Sequence, residues 1–147
     1  MFLYLDSSAL VKRYIDEPHS EKVAHLLDET LAIGTSAISR VEVGAALARA
    51  ARGNRLDAEG ARGAQEQFAE DWPDLSKVPV TDALLTHAER LAWKHGLRAY
   101  DAVQLAAALV CEETTEKLDE SVLFGCFDDE LTAAAHEEGL RTWPDQK

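Results

Sequence analysis

The chain opens on a short apolar burst, "FLYL" at 2–5, which suits a buried strand. The period then changes. In "SSALVKRYI" (7–15), Leu10, Val11, Tyr14 and Ile15 fall on one helical face and Lys12 and Arg13 on the other, until Pro18 interrupts the run. A second helix is expected over about 20–29, with Val23, Leu26 and Leu27 inward. "LAIGTSA" (31–37) reads as a second strand, and "SRVEVGAALARAARG" (39–53) as a helix rich in small residues that ends at Gly53. "LDAEGARGAQEQFAEDW" (56–72) is a weaker helix, because Gly60 and Gly63 both lower its propensity. "KVPV" (77–80) is a short strand that Pro79 consigns to a sheet edge. "TDALLTHAERLAWKHG" (81–96) is amphipathic with a glycine stop, and "RAYDAVQLAAALVCE" (98–112) is apolar on most sides, hence buried. A polar loop, "EETTEKLDES" (112–121), precedes the strand "VLFGCF" (122–127), the helix "DDELTAAAHEEG" (128–139) and a last strand, "LRTW" (140–143).

Strands and helices alternate with only a few residues between them. This pattern predicts an α/β fold with a central parallel sheet of about four to five short strands covered by helices. No repeat, low-complexity tract or linker divides the chain, so one domain over 1–147 is expected.

Composition narrows the function classes. Hydrophobic residues are 46% and charged residues 29%, as in a globular protein in water. No apolar run approaches the ~20 residues of a membrane helix, and "MFLYLDSS" carries no basic segment or cleavage site of a secretory signal. Cys111 and Cys126 form no CxxC pair and read as free thiols in a reducing compartment, the cytoplasm. The formal charge of −12 argues against a protein that coats nucleic acid. It leaves room for an enzyme that meets nucleic acid through a metal and a local basic patch, and for a basic protein partner. Solubility alone would also account for it.

Candidate chemistry lies in the acids. Open parallel sheets place ligands at the carboxyl ends of their strands. Asp6 follows the first strand, Glu42 opens the helix after the second, Asp128 and Asp129 follow "VLFGCF", and Asp101 opens the buried helix. Each has a structural explanation of its own. Asp6 and Asp128 fit helix caps, Asp101 can oppose a helix dipole, and Ser39-Arg40-Val41-Glu42 has the spacing of a capping box. Taken together they are harder to dismiss, because acids at the rim of such apolar elements need partners and too few bases lie nearby. If they converge, like charges must take up protons or recruit a cation. Oxygen ligands, without a His cluster or Cys pair, point to Mg²⁺ or Mn²⁺. The five His residues (19, 25, 87, 95 and 136) show no zinc spacing.

The stretches "LYLDSSALVKRY", "SAISRVEVGAAL", "LRAYDAVQLAAAL" and "CFDDELTAAAHEEGL" occur in the order found in PIN-domain ribonucleases, and the chain most closely resembles the VapC-type toxins of toxin–antitoxin modules. The resemblance spans nearly the whole chain and implies a PIN-like three-layer fold. By it, Asp6, Glu42, Asp101 and Asp128 are the catalytic, metal-site acids, with Asp6 and Asp101 the surest ligands. Ser8 fills the small polar position near the first aspartate, and Asp129 is a secondary candidate beside Asp128. The implied reaction is Mg²⁺- or Mn²⁺-dependent hydrolysis of an RNA phosphodiester by an activated water, leaving 5′-phosphate and 3′-hydroxyl ends. Transfer RNA and a ribosomal RNA loop are both open as substrates. A small antitoxin with a DNA-binding N-terminus and a basic tail is the implied partner, and a homodimer the implied assembly. One departure stands out: the family usually has Thr or Ser two residues before its last aspartate, where this chain has Cys126, a poorer hydrogen-bonding group.

Lys12 and Arg13, one turn from Asp6, are candidates for substrate contact, as are Arg49, Arg52 and Arg55 beyond Glu42. A charge-balancing surface role explains Lys12 and Arg13 equally, and a solvated helix face is the commoner reading of Arg49, Arg52 and Arg55. "GAALARAA" permits close helix packing, at a dimer interface or in the core. Two other function classes compete. An aspartyl-phosphate enzyme of the dehalogenase type wants D-x-D, whereas Asp6-Ser7-Ser8 stands here. A PIN-like binding module without catalysis would lack one or more of the acids. A PIN nuclease outside any toxin module, acting in RNA processing, is the nearest alternative.

Overall fold

The computed structural model describes residues 1–145, so the last two residues of the expected unit lie outside it. Five strands, β1 (Phe2–Leu5), β2 (Ile33–Ser36), β3 (Ser76–Val78), β4 (Val122–Gly125) and β5 (Arg141–Trp143), form one parallel sheet in the order β3-β2-β1-β4-β5. The helices are α1 (Ser7–Leu10), α2 (Ser20–Asp28), α3 (Ser39–Arg52), α4 (Ala58–Asp71), α5 (Asp82–His95), α6 (Ala99–Glu116) and α7 (Asp129–Glu137). The expected α/β architecture is the one observed, with "KVPV" contributing an edge strand.

Alternation along the central strands builds the three layers. Tyr4, Val122 and Phe124 face a core shared with α5, α6 and α7. Leu3, Leu5 and Leu123 face the opposite core, with α1 to α4. Register between β1 and β4 pairs Leu5 with Gly125. A Cβ on Gly125 would lie 2.5 Å from a Leu5 methyl, so glycine here leaves room for the buried Leu5 side chain.

Three boundaries differ from the sequence reading. The first helix holds α geometry only to Leu10, and Val11–Arg13 continue as a 3₁₀ turn. The expected polar loop is helical as far as Glu116, because Cys111 and Thr115 are buried on one helical face, and the Thr114 and Thr115 hydroxyls bond to the carbonyls of Val110 and Glu112. Glu112 then receives the Val122 N–H at 2.7 Å, tying the helix end to β4. The strand "VLFGCF" stops at Gly125, and Cys126 turns out of it toward the sheet edge. No helix among the described residues is long and apolar enough to cross a membrane. Cys111 and Cys126 are both free and buried.

Candidate active site

The chain runs from β1 to β2 and β3 on one side of the sheet, then crosses to β4 and β5 on the other. A crevice at the carboxyl ends of the strands forms at such a reversal. Four elements deliver acids to it.

Asp6 ends β1 and caps α1, with 2% of its surface exposed. Its Oδ1 accepts from Ala9 N at 3.0 Å and Ser8 Oγ at 2.7 Å, and its Oδ2 accepts from Cys126 Sγ at 3.2 Å. Burial drives its pKa up to about 6; those three donors oppose the rise, and the Glu42 charge adds to it. The cap and the acid are therefore the same carboxylate.

Glu42 lies in the first turn of α3. Ser7 Oγ donates to its Oε2 at 3.0 Å and Gln104 Nε2 to its Oε1 at 2.8 Å. The capping-box alternative does not form. Ile38 is the N-cap, and the Ser39 hydroxyl turns into the core, 2.6 Å from Thr35 Oγ1 and accepting from Gln104 at 2.9 Å. That frees Glu42 to face the crevice.

Asp101 stands in the first turn of α6, and Asp128 caps α7 by accepting from Leu131 N at 2.9 Å. Burial raises the Asp101 pKa first, and the charges of Asp128 and Glu42 raise it further. Arg98 opposes the rise. Its Nε lies 3.5 Å from Asp101 Oδ2 and its Nη2 3.4 Å from Asp128 Oδ2. The Glu42 charge acts on both Asp6 and Asp101, and the Asp128 charge on Asp101, so Glu42 lies between the acids of the strand ends. Asp129, by contrast, is exposed on the first turn of α7, with no hydrogen bond or ion pair among the described residues.

Cys126 occupies the position where a hydroxyl was expected. Its thiol donates to Asp6, and its sulfur accepts from Asp128 N at 3.3 Å. Burial, and then the Asp6 charge, push the thiol's pKa up, so it stays a neutral donor. Ser8 completes this knot by accepting from Phe127 N at 3.1 Å.

The basic candidates separate. Lys12 is paired with Glu17 at 2.9 Å and lies 4.7 Å above the Phe127 ring, beside the crevice. Arg13 turns away to Asp71 on α4, at 2.7 Å. Arg55 reaches Glu17 at 3.8 Å. Arg49 and Arg52 are exposed and make no ion pair among the described residues.

Sequence reasoning passed over Gln104, Ser7 and Arg98. Gln104 had a visible signal, being the only polar side chain in "AVQLAAAL", one helical turn from Asp101. Arg98 had a weaker one, three residues before Asp101.

Among the described residues no three His, Cys, Asp or Glu side chains form a ready-made metal cage. Asp6 is held by Ser8, Ala9 and Cys126, Glu42 by Ser7 and Gln104, and Asp128 by Leu131 N, while Arg98 lies against both Asp101 and Asp128. An all-carboxylate donor set of this kind fits Mg²⁺ or Mn²⁺. Mg²⁺ characteristically takes one or two protein carboxylates and keeps several waters, so a closed cage is not required.

The PIN domain family model matches residues 3–137. Ribonuclease VapC45 of Mycobacterium tuberculosis (strain CDC 1551 / Oshkosh) is 34% identical over 144 residues, covering 98% of this chain and 96% of its own length. Ribonuclease VapC49 of strain H37Rv of that organism matches to the same extent. Ribonuclease VapC3 of Pyrobaculum aerophilum is 32% identical over 108 residues, 74% of this chain and 82% of the relative. Among solved structures, FitAcB from Neisseria gonorrhoeae superposes with a TM-score of 0.63 at 17% identity, covering 96% of each chain, which speaks to the fold. With a family match over most of its length and relatives above 30% identity across it, the chain belongs to the PIN-domain family, in the VapC group.

Proposed function

We propose that this protein is a Mg²⁺- or Mn²⁺-dependent endoribonuclease and the toxin component of a toxin–antitoxin pair. The observation that carries the reading is the gathering of Asp6, Glu42, Asp101 and Asp128 from four separate elements at the strand-end crevice. Relatives named ribonucleases support the choice of RNA.

Asp6 and Asp101 would hold the cation directly, and Glu42 and Asp128 would complete the acidic cluster around it. When bound, the cation supplies Lewis-acid charge at the scissile phosphate and makes a nearby water more acidic. The protein's own contribution is positional. Ser8 and the Ala9 N–H fix one oxygen of Asp6, so that the carboxylate is aimed before any ligand arrives. Gln104 and Ser7 do the same for Glu42, each at one of its two oxygens.

A small antitoxin with a basic tail fits the acidic chain, whose formal charge is −12. Pairing with a second copy is supported by the exposed small residues Gly44, Ala45 and Ala48 on α3. The direct test is cleavage of a structured RNA by purified, antitoxin-free protein with Mg²⁺ or Mn²⁺. Cleavage that stops on chelation and in Asp6→Asn supports the reading. Undiminished cleavage in either case overturns the metal mechanism, and the absence of cleavage overturns the nuclease reading.

A further inference from the structure

The sheet splits at the place where the acids stand. Register between β1 and β2 ends at Tyr4 and Gly34, although both strands run on. Beyond that point β1 stays with β4, pairing Leu5 with Gly125 and bonding Asp6 N to Gly125 O at 3.1 Å. β2 stays with β3, pairing Thr35 with Lys77 and bonding Ala37 N to Val78 O at 2.9 Å. Asp6 therefore leaves one bank of the split, and the chain that leads to Glu42 leaves the other.

Where two central strands part, their last carbonyls lose ladder partners, and a buried carbonyl without a donor is costly. Here a side chain fills the gap. Thr35 Oγ1 donates to Leu5 O at 2.7 Å and lies 2.6 Å from Ser39 Oγ. Both hydroxyl residues are fully buried. The directions of these bonds follow from counting protons. The single hydroxyl proton of Thr35 goes to Leu5 O, so Ser39 donates to Thr35. Ser39 then accepts from Gln104 Nε2 at 2.9 Å, and the second proton of that nitrogen goes to Glu42 Oε1 at 2.8 Å. One directed chain of bonds thus runs from the anchor of Glu42 to the peptide that carries Asp6.

Ser8, Ala9 and Cys126 aim the Asp6 carboxylate, but the distance between Asp6 and Glu42 depends on what spans the split. Two ties do so. Ser7 Oγ reaches Glu42 across the rim, where it is half-buried and water competes for it. The line through Thr35, Ser39 and Gln104 is closed to water, so folding fixes its geometry. A small divalent cation demands near-ideal ligand geometry and is sensitive to that spacing.

We infer that Thr35 and Ser39 are positioning residues that set the separation of Asp6 and Glu42, and thereby the fit of the site to a divalent cation. The inference rests on the metal-dependent reading and deepens it, by naming buried residues that act on the site from beneath.

The test measures Mn²⁺ binding to RNA-free protein by electron paramagnetic resonance, and steady-state RNA cleavage at saturating Mn²⁺. The proteins are the wild type, Thr35→Val, Thr35→Ser, Ser39→Ala and Leu91→Ala. Valine keeps the shape of threonine without its hydroxyl, and serine keeps the hydroxyl. Leu91→Ala opens a cavity in the core on α5, outside this chain of bonds. Groups that orient metal ligands typically change affinity or activity by about ten- to a hundredfold. Thr35→Val and Ser39→Ala are therefore expected to weaken Mn²⁺ binding about tenfold and to lower kcat with KM nearly kept. Thr35→Ser should bring both back to near the wild-type values. Leu91→Ala should melt at a lower temperature yet bind Mn²⁺ as the wild type does, which separates positioning from loss of stability. Should Thr35→Val not fold, Ser39→Ala decides, since it leaves the bond to Leu5 O in place. Wild-type Mn²⁺ affinity in the folded variants that lack a hydroxyl overturns this inference alone. So does a failure of serine to restore the affinity, or an equal loss in Leu91→Ala. A wild type that binds no Mn²⁺ overturns the metal-dependent reading, and this inference with it.

Discussion

Gln104 joins Tyr4 to Glu42. Its Oε1 accepts from the Tyr4 hydroxyl at 2.6 Å, and its Nε2 donates to Glu42 Oε1 at 2.8 Å. Tyr4 is fully buried in the central strand and Gln104 is 1% exposed, so this is a rigid line from the core to the rim of the site. An amide is the side chain that can accept at one end and donate at the other, which a carboxylate or an apolar residue cannot do.

Gln104→Leu is therefore expected to act on stability and site together. The Tyr4 hydroxyl would be buried without an acceptor, and Glu42 would lose its inner donor. The first loss costs roughly 1–3 kcal/mol. That lowers the melting temperature by several degrees in a chain of this length. Tyr4→Phe removes only the core-side bond and keeps Glu42 anchored. Differential scanning calorimetry should show both variants destabilised. RNA cleavage should fall much further in Gln104→Leu than in Tyr4→Phe, and equal losses would refute the positioning role of Gln104.

The buried Asp6 carboxylate sets a pH dependence. Its pKa is raised to about 6, chiefly by burial, so the folded protein binds this proton more tightly than the unfolded chain does. The stability Asp6 contributes in metal-free protein is fully present below the ordinary aspartate range and is lost as pH rises through about 6. Cation binding needs the ionised form, so Mn²⁺ affinity should rise over the same interval. Calorimetric titrations at pH 5, 6 and 7 should show affinity climbing with pH, and Asp6→Asn should remove both the affinity and the step. A flat profile between pH 5 and 7 would show that Asp6 is ionised throughout.

Arg98 places a guanidinium between Asp101 and Asp128, at 3.5 and 3.4 Å, where a divalent cation would compete with it. The side chain is 78% exposed, so the contact is weak, worth a few tenths to ~1 kcal/mol. Arg98→Ala is expected to tighten Mn²⁺ binding about two- to fivefold, measured by electron paramagnetic resonance of the free ion. Weaker binding in the variant would mean that Arg98 organises these acids rather than competing at them.

The layers and the acids were legible in the sequence because each has a local signature. Strand lengths and helical periods report burial directly, and Asp6 and Asp128 mark strand-to-helix junctions that cap geometry fixes. What stayed hidden depends on contacts far apart in sequence. Glu42 matched a capping box by spacing, yet Thr35 and Gln104 draw Ser39 inward, and the box never closes. Arg13 shared a surface stretch with Lys12, but Asp71 on a distant helix claims it. The helical continuation to Glu116 rests on the burial of Thr115 and on the Glu112 contact with β4, which no polar-loop pattern reveals.

Cys126 offers the sharpest test of how the site tolerates an unusual residue. Its neutral thiol donates to Asp6 Oδ2 at 3.2 Å and accepts from Asp128 N at 3.3 Å, which are the tasks of a hydroxyl done by a larger, weaker group. Cys126→Ser should keep both bonds with a better donor and favour the ionised form of Asp6. Cys126→Ala should remove the donor and leave Asp6 harder to ionise. A change of about 1 kcal/mol in that bond moves a pKa by most of one unit. The pH at which Mn²⁺ binding is half-developed is therefore expected to fall in the order Ala above wild type above Ser, with cleavage by Cys126→Ser within a few-fold of the wild type. If alanine and serine give the same midpoint, the thiol only fills space, and Ser8 and the Ala9 N–H hold Asp6 by themselves.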